Sequence, residues 1–292
     1  MRRRLEVVSA CATEGYNLAI ELAHPRRVAE RLGYFDRSVR MFAFEGAAMG
    51  FVVVDFLSCG RKNLFLNFVE HFATPYRLAA YSGGGVTSAV LGGSTMKKLM
   101  NRLDPLDRGI IDDGRGFCYG YIKPKRTLRE HRVPKGMTAS QLRNFDVGVG
   151  RSIWFVSCGD PAHILSTIEK FPIERQSDLW AGIGFACTAV GGLSVGQLQE
   201  LTGCAGVCFE PHIAQGVAIA AYLVGCSDQK NLLHVADACT YICGATAEQV
   251  CGYAKALRTE VMAVDESSSD PFSLWAMWRQ RLTEYFLCHR SC

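Results

Sequence analysis

Glu45 has the setting of a working acid or base. The run Met41-Phe42-Ala43-Phe44-Glu45-Gly46-Ala47-Ala48-Met49 continues through Val54 to Asp55 and is apolar on nearly every face of a helix. A carboxylate there must be paired or neutral, and desolvation favours the neutral form that a general acid needs. Two roles stay open for it: a structural ion pair with an arginine such as Arg40 or Arg151, or an acid that touches a ligand. A second group lies further along. Arg151 and Trp154 sit one helical turn apart, Arg175 and Asp178 are spaced as an ordinary helical ion pair just before Trp180, and His212 and Gln215 open an apolar helix after Pro211. If the helices that carry them meet, Glu45, Asp178 and His212 are the candidate catalytic groups. Phe44, Arg151, Trp154, Trp180 and Gln215 are then the candidate substrate contacts, around a cavity walled by aromatic and small residues.

No standard catalytic signature accompanies them. The chain has no phosphate-binding loop ending in Gly-Lys-Ser/Thr, no Gly-x-Ser-x-Gly and no His-Glu-x-x-His, and Gly182-x-Gly184 lacks the strand and third glycine of a dinucleotide site. Asp112-Asp113 is followed by Gly114 and reads first as a turn. Cys204/Cys208, Cys239/Cys243 and Cys288/Cys292 have the four-residue spacing of a shared helix face, but zinc sites favour two intervening residues at a turn. No metal and no cofactor is implied.

The elements that must position these groups read as helices, and strand-like alternation is confined to two doubtful places, 117–122 and 153–157. Apolar residues at helical spacing mark 6–23, 38–56, 64–72, 75–91, 141–157, 174–190, 194–202, 211–224, 231–243, 246–257 and 271–286. Pro25 and Asp160-Pro161 start further helices, Thr246-x-x-Gln249 is a capping box, and 266–270 reads as a loop. Sliding the chain on itself by 136 residues pairs Pro25 with Pro161, Phe44 with Trp180, Gly46 with Gly182 and Pro75 with Pro211. The fold expected is mostly or all α, two similar helical halves from a tandem duplication, packed around a shared interface. Residues 1–122 form the first repeat, 123–139 a basic linker, and 140–292 the second repeat with a C-terminal helix.

Composition narrows the classes. Of 292 residues 49% are hydrophobic and 21% charged, enough core for a globular chain, and a net charge of +4 is too small to argue nucleic acid. The stretches 179–199 and 211–227 carry no formal charge, yet glycines and polar residues interrupt them, so no membrane span is expected. Thirteen cysteines in a long chain without a secretory signal read as reduced thiols and a cytoplasmic location. Between the halves Arg115, Lys123, Lys125, Arg126, Arg129, Arg132, Lys135 and Arg143 face a lone Glu130. That segment is either a solvated linker or a docking face for an acidic partner or phosphate.

Five segments together resemble a family of unknown function, DUF1702. They are Phe44-Glu45-Gly46-Ala47-Ala48-Met49, Asp113-Gly114-x-Gly116-Phe117, Gly150-Arg151-Ser152-x-Trp154-Phe155-Val156, Asp178-Leu179-Trp180-x-Gly182-x-Gly184 and Pro211-His212-x-Ala214-Gln215-Gly216. The resemblance spans about residues 14–281. It implies a bacterial protein of secondary-metabolite clusters, enediyne polyketide clusters among them, and a part in making a hydrophobic natural product. The resemblance supplies no reaction, and two readings stay open. The first is an enzyme, a cofactor-independent cyclase or isomerase acting on an apolar polyene, polyketide or terpenoid, with Glu45 moving the proton and Arg151, Asp178 and His212 orienting it. The second is a non-catalytic binding or assembly protein that holds such an intermediate or an acidic carrier protein.

Overall fold

The computed structural model describes residues 1–59, 62–92, 100, 103–227, 232–263 and 273–289. The sequence readings at 266–270, Asn231, Pro271 and Cys292 lie outside them. The described residues are helical throughout, with no strand, and the two doubtful places fall inside helices. The long helices are α1 (Arg2–Leu22), α3 (Arg40–Leu57), α5 (Arg77–Leu91), α6 (Gly109–Ile122), α7 (Ala139–Val156), α9 (Ile173–Val190), α11 (Glu210–Cys226), α13 (Ala247–Met262) and α14 (Ser273–His289). Short ones punctuate them: α2 (Pro25–Leu32), α4 (Leu64–His71), α8 (Pro161–Ile168), α10 (Val195–Ala205) and α12 (Leu233–Ala238).

Local chemistry sets the ends. Thr138/Gln141, Ser194/Gln197 and Thr246/Gln249 each form a reciprocal capping box. Asp160 accepts from the His163 N–H ahead of Pro161, and Asp55 reaches across to the Leu64 and Phe65 N–H groups that open α4. In the basic segment Lys125–Arg129 winds into a single wide helical turn. Its Thr127 hydroxyl donates to the Tyr119 carbonyl, burying Thr127 and Leu128 and leaving Lys125, Arg126 and Arg129 exposed.

One contact repeats from helix to helix. Gly46, Gly83, Gly114, Gly148, Gly182 and Gly216 follow one another at steps of 37, 31, 34, 34 and 34 residues. Each lies against a backbone carbonyl of the preceding long helix: Ala12, Glu45, Ser82, Asp113, Val147 and Ala181 in turn. A Cβ at any of the six would overlap that carbonyl, so the helices approach to backbone contact only because these positions are bare. The 136-residue register found in the sequence spans four of these steps, and the packing follows the shorter unit, one long helix per step.

The row curls. Met1 touches Gly159 and Gly192, just past the ends of α7 and α9, and Arg4 donates to the Val190 carbonyl at 2.7 Å. One helix on, Met41 at the start of α3 shares a cleft with Tyr222, Leu223 and Cys226 at the end of α11. Arg77 at the start of α5 pairs with Asp107, which also binds Arg258 of α13 at 2.6 Å. The long helices therefore wind as a superhelix, five steps bringing the start of one helix against the end of another. The residue before each glycine faces the axis, and α14 enters the lower part of the interior, with Trp278 and Arg279 buried.

Two predictions follow from this packing. Gly148→Ala places a methyl against the Asp113 carbonyl and is expected to cost about 1–3 kcal/mol in urea unfolding. Gly203→Ala in α10, where a Cβ meets nothing, is expected to be neutral or to gain about 0.5–1 kcal/mol. At the seam, burial and the neighbouring Arg4 cation pull the His234 pKa down to about 4. The unfolded chain protonates this residue near pH ~6.5, so its contribution is complete above that pH and is lost as pH falls toward 4. Wild type should lose about 2–3 kcal/mol more than His234→Gln between pH 7 and 4; equal slopes in the two proteins would remove His234 as the cause.

Candidate functional site

The glycine register brings one residue from each successive long helix to the axis: Glu45, Ser82, Asp113, Val147, Ala181 and Gln215. The residue four further on stands one turn above it, which yields Met49, Val86, Phe117, Arg151, Phe185 and Ile219. Polar groups from four helices meet in this column. The Ser82 hydroxyl donates to Glu45 Oε1 at 2.8 Å, Arg151 Nη1 donates to Ser82 Oγ at 3.0 Å, and Nη2 reaches the same Glu45 oxygen at 3.4 Å. Arg151 Nη1 also pairs with Asp113. The guanidinium lies between two rings, 5.1 Å from Phe117 and 4.9 Å from Phe185. Burial pushes the Asp113 carboxyl up against the pull of Arg151. Burial opposes the charge on Arg151, and Asp113 with Glu45 outweighs it, so that pKa is raised.

Glu45 is the most open member of the cluster, with its side chain 13% exposed against 6% for Asp113. Both its bonds use Oε1, and Oε2 makes none among the described residues. Above it the walls are apolar and partly open. Met49 and Phe117 are half-buried, Phe117 stacks on exposed Tyr121 at 5.7 Å, and Phe155 meets Phe117 edge-on at 5.3 Å.

A second polar layer lies below. Arg279 of α14 pairs with Asp178, donates to the Asn144 side chain at 3.1 Å, and binds Gln215 Oε1 at 3.2 Å. Gln215 Nε2 returns bonds of 2.7 Å to the Arg279 carbonyl and the Thr283 hydroxyl. Arg143 also reaches Asp178, at 3.3 Å. His212 stands beside this layer, where burial lowers its pKa while Asp178 works the other way. The gap bounded by Asp113, Phe185, Gln215 and Arg279 is about 10 Å³, scarcely one water. That gap separates the two layers, and above it Glu45, Met49 and Phe117 are only partly buried.

The structure thus unites Glu45 with Arg151, and separately Asp178 and Gln215, with His212 at their side. Phe44, Trp154 and Trp180 stand apart from the axis. Phe44 stacks on Tyr76 and Phe68, Trp154 is buried beside Gly159, and Trp180 lies 6.5 Å from Phe209. Arg175 leaves Asp178 to Arg279 and binds Asp146 of α7 with both arms of its guanidinium, while Nη1 holds the His131 carbonyl at 3.0 Å. Even with that partner, burial pushes the Asp146 carboxyl up to about 6. Asp112-Asp113 lies within α6 rather than at a turn, because Gly114 serves a helix crossing. Ser82 and Arg279 escaped the sequence reading. For Ser82 the signal was present, since it precedes one of the six glycines; Arg279 carries no such mark.

The class defined by these features is an all-α helical repeat whose glycine crossings place a carboxylate–hydroxyl–guanidinium cluster on the axis. Residues 1–286 match the family described as protein of unknown function, DUF1702, and the chain belongs to it. No curated protein and no solved structure matches the chain. Among the described residues no helix is long and apolar enough to cross a membrane.

Arg151 balances two carboxylates in this interior. Arg151→Met should cost about 3–5 kcal/mol, because removing one partner strands buried charge. Adding Asp113→Asn should return part of that loss in a double-mutant cycle followed by urea denaturation. A single variant within about 1 kcal/mol of wild type would show that Arg151 is not what balances the cluster.

Proposed function

We propose that this chain is an enzyme of natural-product biosynthesis that performs cofactor-independent acid–base chemistry, of cyclase or isomerase type, on an apolar polyene, polyketide or terpenoid intermediate. The observation that carries the reading is a partly exposed Glu45 carboxylate beneath half-buried apolar side chains. An apolar ligand lying along Met49, Phe117 and Phe155 would meet a carboxylate whose Oε1 is fixed by Ser82 and Arg151 and whose Oε2 is unengaged. Fixing one oxygen sets the direction in which the other takes or returns a proton. Arg151 and Ser82 act as positioning residues. Aromatic faces beside the ligand would stabilise cationic character that develops in it. Asp178, His212 and Gln215 hold the floor of the column in this reading, through Arg279.

A second reading has support of its own. Glu45 already has partners, and Lys125, Arg126 and Arg129 are exposed next to Tyr121 and Ile122, with no ion pair among the described residues. A protein that holds an intermediate or an acidic carrier without transforming it fits those two facts.

Glu45→Gln separates the readings. It keeps the hydrogen-bonding shape and removes the proton-accepting charge. On the enzyme reading, turnover of a polyene or isoprenoid panel falls at least about 100-fold, while small molecules retained in native mass spectrometry are the same in both proteins. Unchanged turnover would overturn the role of Glu45. Retention without turnover in wild type would leave the holding protein.

A further inference from the structure

We propose that the C-terminal ends of α3, α5, α6 and α7 form a docking rim for an anionic lipid surface, from which an apolar ligand enters the column above Glu45. This rests on the apolar-ligand reading given above, though its test is independent of Glu45.

Exposed large apolar side chains such as Tyr34, Val207 and Leu233 occur elsewhere on the surface, but on these four helices they gather at one end. Phe56 and Leu57 end α3, Val90 lies at the end of α5, Tyr121 and Ile122 end α6, and Val156 ends α7; Leu57 is 75% and Ile122 58% exposed. These are the ends toward which the column opens, because Met49, Phe117 and Phe155 lie on the C-terminal side of Glu45, Asp113 and Arg151 in their own helices. Isolated exposed apolar residues need no explanation, but a set gathered at the mouth of an apolar column does.

Charge completes the surface. Residues 121–126, Tyr-Ile-Lys-Pro-Lys-Arg, are exposed without interruption, and Arg129, Arg132 and Lys135 follow. Glu130 is taken by Arg132 at 2.8 Å, so the other cations have no carboxylate beside them in this segment. An aromatic and an aliphatic side chain followed directly by lysine and arginine is the pattern of an interfacial anchor: the rings and branches enter the headgroup region and the cations meet lipid phosphates. An acidic protein would satisfy the cations, but it has no use for bare leucine, isoleucine and valine spread over four helix ends. An anionic bilayer uses both, and it is where an apolar ligand would already be dissolved.

The test is sedimentation of the full chain with vesicles of phosphatidylcholine alone and of equal parts phosphatidylcholine and phosphatidylglycerol. Wild type should pellet with the second and not the first. Lys125→Ala/Arg126→Ala/Arg129→Ala should weaken the partition about 100-fold, at roughly fivefold per cation near the surface. Ile122→Ser/Val156→Ser should also weaken it, by an amount that added salt does not change, and circular dichroism should confirm that both variants are folded. Failure of wild type to pellet overturns the proposal. So does an Ile122/Val156 variant that pellets like wild type while polyglutamate competes, since that result assigns the basic face to an acidic protein. Glu45→Gln should bind vesicles normally, so loss of turnover and loss of docking are read separately.

Discussion

The contact on which everything else depends is a glycine Cα against a carbonyl of the preceding helix. Six times along the chain it brings two helices to backbone distance, where Cα–H···O contacts and close dispersion replace side-chain interdigitation. Each such glycine gives up helix propensity, about 1 kcal/mol relative to alanine. That expense is recovered only if the helices actually touch, so the register is strongly specified: a slip of one residue places a side chain where none fits. The same step fixes the residue before each glycine at the axis, so chemistry and packing share one constraint.

Burying charge at that axis is costly, and the chain meets the cost by matching signs locally. Arg151 serves Glu45 and Asp113, Arg279 with Arg143 serves Asp178, and Arg175 serves Asp146. Buried pairs of this kind add little net stability compared with apolar packing, although breaking one is expensive. Their evident effect is geometric. Arg175 and Arg143 join the neighbours α7 and α9, whereas Arg151 ties α3 to α7 and Arg279 ties α14 to α7, α9 and α11, across the interior of the curl.

Much of this was legible in the sequence, at the wrong magnification. Helix positions follow apolar spacing and caps such as Thr138, Ser194 and Asp160, all of which act within a few residues. The pairing of Gly46 with Gly182 at 136 residues was also visible. The shorter step was hidden because the residues around the glycines differ freely: Glu45, Ser82, Asp113 and Val147 share only the carbonyl that contacts the next helix, and a carbonyl leaves no trace in a sequence. Glu45 stood out because an isolated charge among apolar residues is a one-dimensional signal. Its partner could be named only as one of several arginines, since pairing Glu45 with Arg151 requires four long helices to curl. Aromatic character marks Phe44 and Trp154 in the sequence, but each stands one residue from Glu45 or Phe155, which turns its side chain by about 100° and away from the axis.

The two ends of the superhelix differ, and the difference follows from what the repeat can and cannot do alone. A row of stacked helices buries the faces between steps but leaves its first and last interior surfaces open. Below, α14 supplies Trp278, whose Nε1 donates to the Ala254 carbonyl at 2.9 Å, and Arg279, and fills the column until a gap of about 10 Å³ is left. Above, the helices end in exposed Leu57, Val90, Ile122 and Val156, on the side of the partly exposed Glu45. A cap made of charged side chains would have been the simpler way to finish a soluble end. An apolar fringe beside a partly exposed carboxylate is accounted for, on the docking proposal, by the apolar surface it meets. On the function proposed above, the end with the apolar fringe is the working end, and the end filled by α14 is where the fold keeps its register.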